Sequence, residues 1–251
     1  MPSMLDFVWV AGAAFAAGVV NALAGGGTLI TFPVLTAIGL PGVMANVTNA
    51  VALCPGYVGG AWAQRQDLVG QAHRLWVLVP LGALGGVLGA SLLLASGDQL
   101  FRALVPWLIL SASALLAAQE PLRRWLLARH GGTSNTPANA ALPIGVAAVY
   151  GGYFGAGLGV VMLATLGVTL DDTLNRLNAV KQVLSCVINF AAAILFLNSD
   201  QVQWSVAAVM AVGALVGGSL GGRWARVIAP ARLRAMVVTI GVSAGIFYLL
   251  N

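Results

Sequence analysis

Two groups of polar residues stand out in an apolar sequence, and their residue types suit the binding of a small anion. The first group is Gly25, Gly26, Gly27, Thr28, Asn46, Thr48 and Asn49, and the second is Gly157, Gly159, Asn178, Lys181 and Gln182. Amide, hydroxyl and ammonium groups donate hydrogen bonds, and so do the free backbone N–H groups at the start of a helix. The sequence therefore predicts two half-sites that share one negatively charged ligand.

The glycines mark places where a helix is expected to break. Glycine tolerates backbone dihedrals that other residues avoid, and a break frees N–H groups that must find a partner in hydrocarbon. We expect helices that begin at Thr28 and near Val160 to direct their N–H groups and positive dipole ends at the ligand. The alternative is that the glycines only let helices cross closely. Three glycines in a row exceed that need, whereas Gly157 and Gly159 fit either interpretation.

Lys181 is the single residue most suited to hold an anion, because it lies about two turns inside an apolar segment. A charge at that depth in a membrane is unfavourable and marks a functional candidate. The alternative is that its side chain reaches the membrane surface or pairs with Asp171 or Asp172. We expect Lys181 to face the ligand, so that the substitution Lys181→Ala removes anion binding.

Spacing places the polar side chains of each group on one helix face. Asn178, Lys181 and Gln182 are related as i, i+3 and i+4, and Asn46 and Asn49 as i and i+3. These residues can therefore act together on one ligand. Hydrogen bonding between helices explains the amides equally well.

The composition indicates a membrane environment for these groups. Of the 251 residues, 59% are hydrophobic and 8% are charged, whereas soluble domains carry roughly 25% charged residues. The apolar runs are continuous, which predicts membrane helices rather than alternating strands. The basic residues lie between these runs, so the net charge of +5 does not indicate nucleic acid. Nothing resembles a nucleotide cradle, a metal cluster or a catalytic triad, and we expect no cofactor, no metal and no enzymatic activity.

Ten apolar segments can be marked along the chain. They cover residues 7–24, 28–40, 43–63, 75–95, 101–118, 142–157, 159–170, 174–197, 204–221 and 233–250. The second and seventh span only about 18–20 Å, less than the roughly 30 Å hydrocarbon core, so we expect half-helices or hairpins that reach the midplane. A polar linker with turn residues separates the fifth and sixth segments. It divides the chain into a first repeat (1–118), a cytoplasmic linker (119–141) and a second repeat (142–251).

The two halves repeat in one register, in which equivalent residues are 132 positions apart. The matches include Asn46 with Asn178, Asn49 with Lys181, Cys54 with Cys186, Gly25 with Gly157 and Gly27 with Gly159. Asparagine and cysteine matches in one register argue for a duplication rather than chance. The two cysteines could lie on the path of the substrate, but two small buried residues inherited from one ancestral position explain them better.

Positive charges predict that the two repeats have opposite orientations. Threading the segments back and forth puts ten arginines on one face, leaves Arg102 on the other and places Lys181 inside a span. The arginine-rich face is then cytoplasmic, and both termini lie on the outer side. Five segments per repeat is an odd number, so the second repeat enters from the opposite side. The expected fold is an all-α polytopic membrane protein with two inverted-topology repeats, an architecture typical of secondary transporters.

The sequence resembles the sulfite exporter TauE/SafE family of bacterial membrane proteins over nearly its whole length. The similar residues are 25–35, 39–41, 45–49 and 65–68 in the first half and 178–181, 202–204 and 213–221 in the second. Members are associated with export of sulfite and of organosulfonates such as sulfoacetate. The resemblance therefore implies a small sulfur-containing anion as the substrate, whereas Lys181 and the helix termini alone imply only a small anion.

We therefore expect a secondary transporter that exports sulfite or a small organosulfonate across a bacterial inner membrane by alternating access. Import of another small anion or an organic acid, an anion-selective channel, and a membrane scaffold or enzyme subunit without transport are the alternatives. No carboxylate lies deep in a span, so no proton relay is evident. The sequence leaves the coupling ion and the oligomeric state open.

Overall fold

The described part of the chain folds into helices without any strand. In this computed structural model it comprises residues 3–23, 25–128, 137–224 and 230–250. The helices are α1 (Met4–Leu23), α2 (Thr28–Ala37), α3 (Gly42–Ala63), α4 (Ala72–Ala117), α5 (Gln119–Ala128), α6 (Pro137–Tyr153), α7 (Leu158–Thr169), α8 (Leu174–Phe196), α9 (Trp204–Trp224) and α10 (Pro230–Leu250). A short 3-10 turn, Arg65–Leu68, lies between α3 and α4.

The predicted all-α membrane fold is confirmed. Among the described residues, α1, α4, α8, α9 and α10 are long and apolar enough to cross a membrane. The short helices α2 and α7 contain 10 and 12 residues. At about 1.5 Å per residue neither can cross a hydrocarbon core of roughly 30 Å. The chain is therefore a multi-pass membrane protein that also contains partial spans.

The fourth and fifth predicted segments form one long helix, α4, which is interrupted at Gly97. The backbone there has φ 66° and ψ 174°, a left-handed conformation that glycine adopts readily. The interruption divides α4 into a first limb, residues 72–96, and a second limb, residues 98–117. Each limb corresponds to one predicted segment.

The linker begins with a helix. Its first ten residues, Gln119–Ala128, form α5, and the predicted turn residues follow it in the sequence from residue 131. Glu120 and Pro121 in the first turn favour a helix start, because an acidic side chain suits the positive helix end and proline lacks a donor to satisfy. The helix α6 then begins at Pro137, before the expected residue 142. Residues 129–136 lie outside the described part of the chain.

The chain passes from α1 to α2 through a tight glycine turn, the first break. Gly25 and Gly26 have φ values of 74° and 145°, which other residues rarely adopt. The N–H of Gly25 donates to the carbonyl oxygen of Val20 at 2.9 Å. A Cβ atom on Gly25 would lie 2.7 Å from the Cα atom of Gly159. The backbone near the start of α2 therefore touches the backbone at the start of α7.

The second break, between α6 and α7, shares part of its geometry with the first when the two are aligned two residues earlier than the sequence register predicts. Gly155 has the same φ of 74° as Gly25, and its N–H donates to the carbonyl oxygen of Tyr150 at 3.3 Å. Gly157 precedes α7 as Gly27 precedes α2, so the local offset at the helix starts is 130 (157 − 27), and α7 restores 132 by being two residues longer than α2. The φ of Gly157 is 71°, which matches Gly25 rather than Gly27 with −57°, so the pairing of Gly25 with Gly157 and of Gly27 with Gly159 stays a prediction.

Helix contacts outside the breaks follow the repeat in matched pairs. The helix α1 packs on α9 as α6 packs on α4, and α3 packs on α9 as α8 packs on α4. A Cβ atom on Gly86 would lie 2.6 Å from the carbonyl oxygen of Ile188, and one on Gly218 would lie 2.6 Å from that of Gly56. Both members of this second pair are 132 positions from those of the first. The equivalent helices α3 and α8 pack on each other.

Candidate functional site

In the first repeat, the polar side chains near the break satisfy one another. The Nδ2 of Asn49 donates to Oγ1 of Thr28 at 3.2 Å, and the hydroxyl of Thr31 donates to Oδ1 of Asn49 at 2.5 Å. All three residues are buried. These bonds fasten the first turn of α2 to α3 and engage both polar atoms of the Asn49 amide.

Two N–H groups of the first break, which have no backbone acceptor among the described residues, are capped by Asn21, a residue of α1. Its Oδ1 accepts hydrogen bonds from the N–H groups of Gly26 at 3.1 Å and Gly27 at 2.8 Å. The prediction that these N–H groups are free for an anion is therefore wrong. Sequence reasoning missed this role, because an asparagine at the end of an apolar helix is compatible with many partners. The available signal was its position directly before the three glycines.

The second break lacks such a cap. The residue equivalent to Asn21 by the local offset of 130 is Gly151, which has no side chain. A Cβ atom there would lie 2.8 Å from the side chain of Leu158, so the position has no room for one. No hydrogen bond found among the described residues engages the N–H groups of Ala156 or Gly157. The positive end of α7 therefore presents unengaged donors at this break.

Lys181 is buried in α8, with 1% of its surface exposed. It makes no hydrogen bond or ion pair with any residue that the structure describes. It therefore neither reaches the membrane surface nor pairs with Asp172, which binds two arginines instead. A buried cation without an anionic partner is strongly unfavourable, which marks this position as functional.

The neighbours of Lys181 place it beside the second break. Leu177, Leu184 and Ile188 follow the same helix face at the i−4, i+3 and i+7 positions. These three leucine and isoleucine side chains form one apolar cluster with Leu158, in the first turn of α7. The face of α8 that carries Lys181 therefore packs toward the start of α7, and the equivalent Asn49 bonds to the start of α2.

Two further buried polar atoms near Lys181 have no hydrogen-bond partner among the described residues. They are Oε1 of Gln182 and Oγ of Ser185. Gln182 faces α3, because a Cβ atom on Gly60 would lie 2.5 Å from its Nε2. Ser185 is one turn beyond Lys181 and was not identified from the sequence, where serine in a membrane helix is unremarkable. Most buried polar groups are paired, so unpaired atoms on two adjacent turns of one helix make this part of α8 a candidate ligand site.

Three other predicted site residues bind elsewhere. Asn46 donates to the carbonyl oxygen of Tyr153 at 2.8 Å, and Asn178 donates to Oε1 of Gln64 at 2.6 Å. The hydroxyl oxygen of Thr48 accepts the N–H of Gln203 at 3.0 Å. These bonds join helices and loops, which is the alternative that the sequence left open. The structure therefore engages Asn46, Thr48 and Asn178 in packing, whereas Lys181 and Oε1 of Gln182 have no partner among the described residues.

Cys54 and Cys186 come near each other where α3 packs on α8. Cys186 packs with Leu53 and Tyr57 in a small apolar cluster. The hydroxyl of Tyr57 interacts with Asn189, one turn beyond Ser185. Equivalent residues that face each other are expected at the axis relating two repeats, so inheritance from one ancestral position is sufficient to explain the cysteines.

An ion-pair cluster lies at the end of the bundle that carries most of the arginines. Asp172, between α7 and α8, binds Arg74 of α4 and Arg176 of α8, with Nε of Arg176 at 3.0 Å from its Oδ1. Arg176 also donates to the carbonyl oxygen of Val69 at 3.0 Å. Burial tends to raise the pKa of Asp172, but the hydrogen bonds from the arginines outweigh it and hold this pKa below its usual value.

An aromatic layer lies toward the opposite end. The rings of Phe32, Phe101 and Phe154 have centroids 5.6 to 6.1 Å apart and are almost fully buried. Phe154 directly precedes Gly155 of the second break, whereas Phe32 lines a cavity of about 520 Å³ that also contains Arg102. The aromatic layer therefore separates this cavity from the glycine breaks.

The described residues combine long apolar helices, two short helices that follow glycine breaks, and a buried cation that none of them pairs with. These features define a polytopic membrane protein of the transporter class. The profile of the family described as Sulfite exporter TauE/SafE matches residues 10–248, and the chain belongs to this family.

Relatives of the chain are named as transporters. A "Probable membrane transporter protein" of Haemophilus influenzae is 28% identical, with 89% of this chain and 87% of the relative covered. "Probable membrane transporter protein ORF9" of Sinorhizobium sp. is 28% identical, with 97% and 91% covered. "Probable membrane transporter protein YfcA" of Escherichia coli K12 is 24% identical, with 94% and 87% covered. No solved structure matches the chain significantly. These names indicate a membrane transporter rather than an enzyme.

Proposed function

We propose that the protein is a secondary transporter that exports sulfite or a small organosulfonate across the bacterial inner membrane. The family and the names of the relatives support transport. The observation that carries the choice of an anion is the buried Lys181 without an anionic partner. An ammonium in this position is stabilised when an anion binds beside it, so the site favours negative charge.

In the proposed complex the anion lies at the second break. Lys181 supplies the positive charge, and the N–H groups of Ala156 and Gly157 supply donors at the positive end of α7. The first break is already capped by Asn21, and Asn49 is neutral and engaged. One anion per chain, held mainly by the second repeat, therefore replaces the two half-sites expected from the sequence.

Alternating access would use the two repeats in opposite orientations. The matched helix contacts support a duplication, and the distribution of arginines supports the inversion and places both termini outside. In the described conformation Lys181 is closed off from both ends, with the Asp172 cluster at one end and the aromatic layer at the other. Opening one barrier at a time would move the anion across the membrane.

Counterflow in proteoliposomes tests the proposal. The purified protein is reconstituted with sulfite inside, and uptake of labelled sulfite is measured from outside. A carrier gives faster uptake when substrate is present on the other side, whereas a channel is indifferent to it. Acceleration by organic acids but not by sulfur anions would favour the alternative of a different substrate. If no anion of any kind is transported, the remaining alternative is a membrane scaffold or enzyme subunit without transport.

The variant Lys181→Ala connects this flux to the site. We expect it to abolish sulfite counterflow while the purified protein keeps its helical circular dichroism signal and its elution volume. Arg65→Gln is the matched control, because it removes an exposed positive charge far along the chain from the breaks. Full flux in Lys181→Ala would exclude Lys181 from the mechanism.

A further inference from the structure

The unpaired atoms around Lys181 define which anion fits best. The ammonium of Lys181 can only donate hydrogen bonds, and the hydroxyl of Ser185 can donate one. Oε1 of Gln182 can only accept. Both Oε1 of Gln182 and Oγ of Ser185 are buried without a partner among the described residues. A ligand that satisfies all three side chains therefore needs negatively charged oxygens and one hydrogen-bond donor of its own.

Ser185 differs from the other serines of the apolar helices. Ser91 and Ser113 donate to the carbonyl oxygen four residues earlier, at 2.8 and 2.7 Å. This local bond is the usual way in which serine is satisfied inside a membrane helix. The hydroxyl of Ser185 makes no such bond and has no partner in the part of the chain that the structure describes. Its hydroxyl is therefore available to a ligand.

The position of these residues fits a central site. Ser185 lies about 16 Å along α8, a helix of about 34 Å, and is therefore close to its middle. Lys181 is one turn nearer the start of the helix, on the face that packs toward the start of α7. Gln182 faces α3 at Gly60, where the absence of a side chain leaves room for its amide. Three helices thus enclose the unpaired groups.

We infer that the site selects a monoanion that carries both charged oxygens and an O–H group, such as hydrogen sulfite or a hydroxyalkanesulfonate. Lys181 and Ser185 donate to the charged oxygens, and Oε1 of Gln182 accepts the O–H of the ligand. A sulfonate without a hydroxyl, or a fully deprotonated dianion, leaves this acceptor unpaired in the bound state. Sites that contain a buried polar group discriminate strongly against ligands that cannot pair with it. This inference rests on the proposed function, because it refines the substrate of the same site.

Matched ligand pairs test the selectivity by isothermal titration with the purified full-length protein. One pair is 2-hydroxyethanesulfonate and propane-1-sulfonate, and a smaller pair is hydrogen sulfite and methanesulfinate. Within each pair the ligands have the same charge, and a hydroxyl replaces a methyl group. We expect the hydroxyl-bearing member of at least one pair to bind about tenfold or more tightly. Equal affinities in both pairs, or no binding of any of the four, would overturn the inference.

Two variants assign the selectivity to the named side chains. Gln182→Leu keeps a similar volume without the acceptor, and we expect it to bind both members of a pair equally. Ser185→Ala should weaken both members and should raise the thermal midpoint of the ligand-free protein, because it removes an unpaired buried hydroxyl. Ser113→Ala is the control: its hydroxyl is also buried but is paired with the carbonyl oxygen of Ile109, and its removal should leave anion binding unchanged.

The outcomes separate this inference from the proposed function. A tenfold preference that persists in Gln182→Leu would show that the acceptor lies elsewhere and would overturn the inference alone. Sulfite counterflow without any preference between the members of a pair would do the same. A preference that Gln182→Leu removes, found in a protein with no flux in proteoliposomes, would support the site and refute transport.

Discussion

At the scale of single residues, the two repeats differ because one position exchanges an amide for a cation. Asn49 finds two partners in the first turn of α2, the hydroxyls of Thr28 and Thr31. By the local offset of 130, the equivalent residues in α7 are Leu158 and Val161, which offer no polar atom. Lys181 therefore has no polar partner at these positions of its own repeat, which supports the proposal that a ligand binds there.

Asn21 gives a prediction at this scale. The variant Asn21→Ala leaves the N–H groups of Gly26 and Gly27 buried without an acceptor. Each such group costs about 1–3 kcal/mol, so we expect a clear fall of the thermal midpoint measured by differential scanning fluorimetry. Asn198→Ala is the control, because that side chain is exposed and its amide donates to a backbone oxygen rather than accepting from backbone N–H groups. An equal change in both variants would contradict the role of Asn21 as a cap.

The sequence predicts charged site residues better than neutral ones. Lys181 could be identified because a cation inside an apolar segment is unusual whatever its surroundings. Asn21 and Ser185 could not, because an amide or a hydroxyl is ordinary in a membrane helix and acquires its role from the group that it meets. Asn46 and Asn178 show the converse case: their spacing fits a site, but the partners that they meet are Tyr153 and Gln64.

At the scale of elements, the glycine breaks depend on both conformation and contact. Gly25→Ala would place a side chain at φ 74° and bring its Cβ to 2.7 Å from Gly159. Gly39→Ala has a comparable φ of 92° but nothing within 4 Å of the new atom. The left-handed conformation alone costs about 1–2 kcal/mol. We therefore expect both variants to lower the thermal midpoint, and Gly25→Ala much more. Equal losses would mean that the contact between the breaks is unimportant.

Element boundaries follow closely from the sequence, but the repeat register at the second break does not. The apolar runs end at glycines, prolines and polar residues, which also end helices in the structure. Glycine occupies positions 155, 157 and 159, so offsets of both 130 and 132 match glycine to glycine. The hydrogen bonds favour Gly155 as the equivalent of Gly25, because each N–H donates to the carbonyl oxygen five residues earlier, whereas the φ of Gly25 matches both Gly155 and Gly157. Repeated small residues therefore hide a shift of two positions.

The ion-pair cluster that joins α4 to α8 gives a prediction about pH. The pKa of Asp172 is lowered in the folded state, so its contribution to stability is present above its unfolded value of about 4 and is lost as the pH falls through the folded value. We expect Asp172→Asn to lower the thermal midpoint at neutral pH and the difference from the wild type to shrink below about pH 4. Asp200→Asn, in an exposed loop, is the control. A difference that stays constant with pH would contradict this account.

At the scale of the whole molecule, an inverted repeat requires equivalent loops to lie on opposite sides of the membrane. Gln66 and Asn198 are equivalent at the offset of 132, and both are exposed. In a protein without Cys54 and Cys186, we expect Gln66→Cys to react with an impermeant thiol reagent only after cells are opened. Asn198→Cys should react in intact cells. Reaction of both from the same side would refute the inversion without affecting the helix assignments.

The cap formed by Asn21 also bears on how the two halves of a duplicated membrane protein can diverge. Asn21 engages the N–H groups of the first break, whereas no described side chain does so at the second. If the anion binds as proposed, one copy of the ancestral unit has a structural role and the other binds the ligand. Four residues account for this difference: Asn21 and Asn49 in the first repeat, and Gly151 and Lys181 in the second. We would expect a homologue with the opposite exchange, glycine at position 21 and lysine at position 49, to bind its anion in the first repeat.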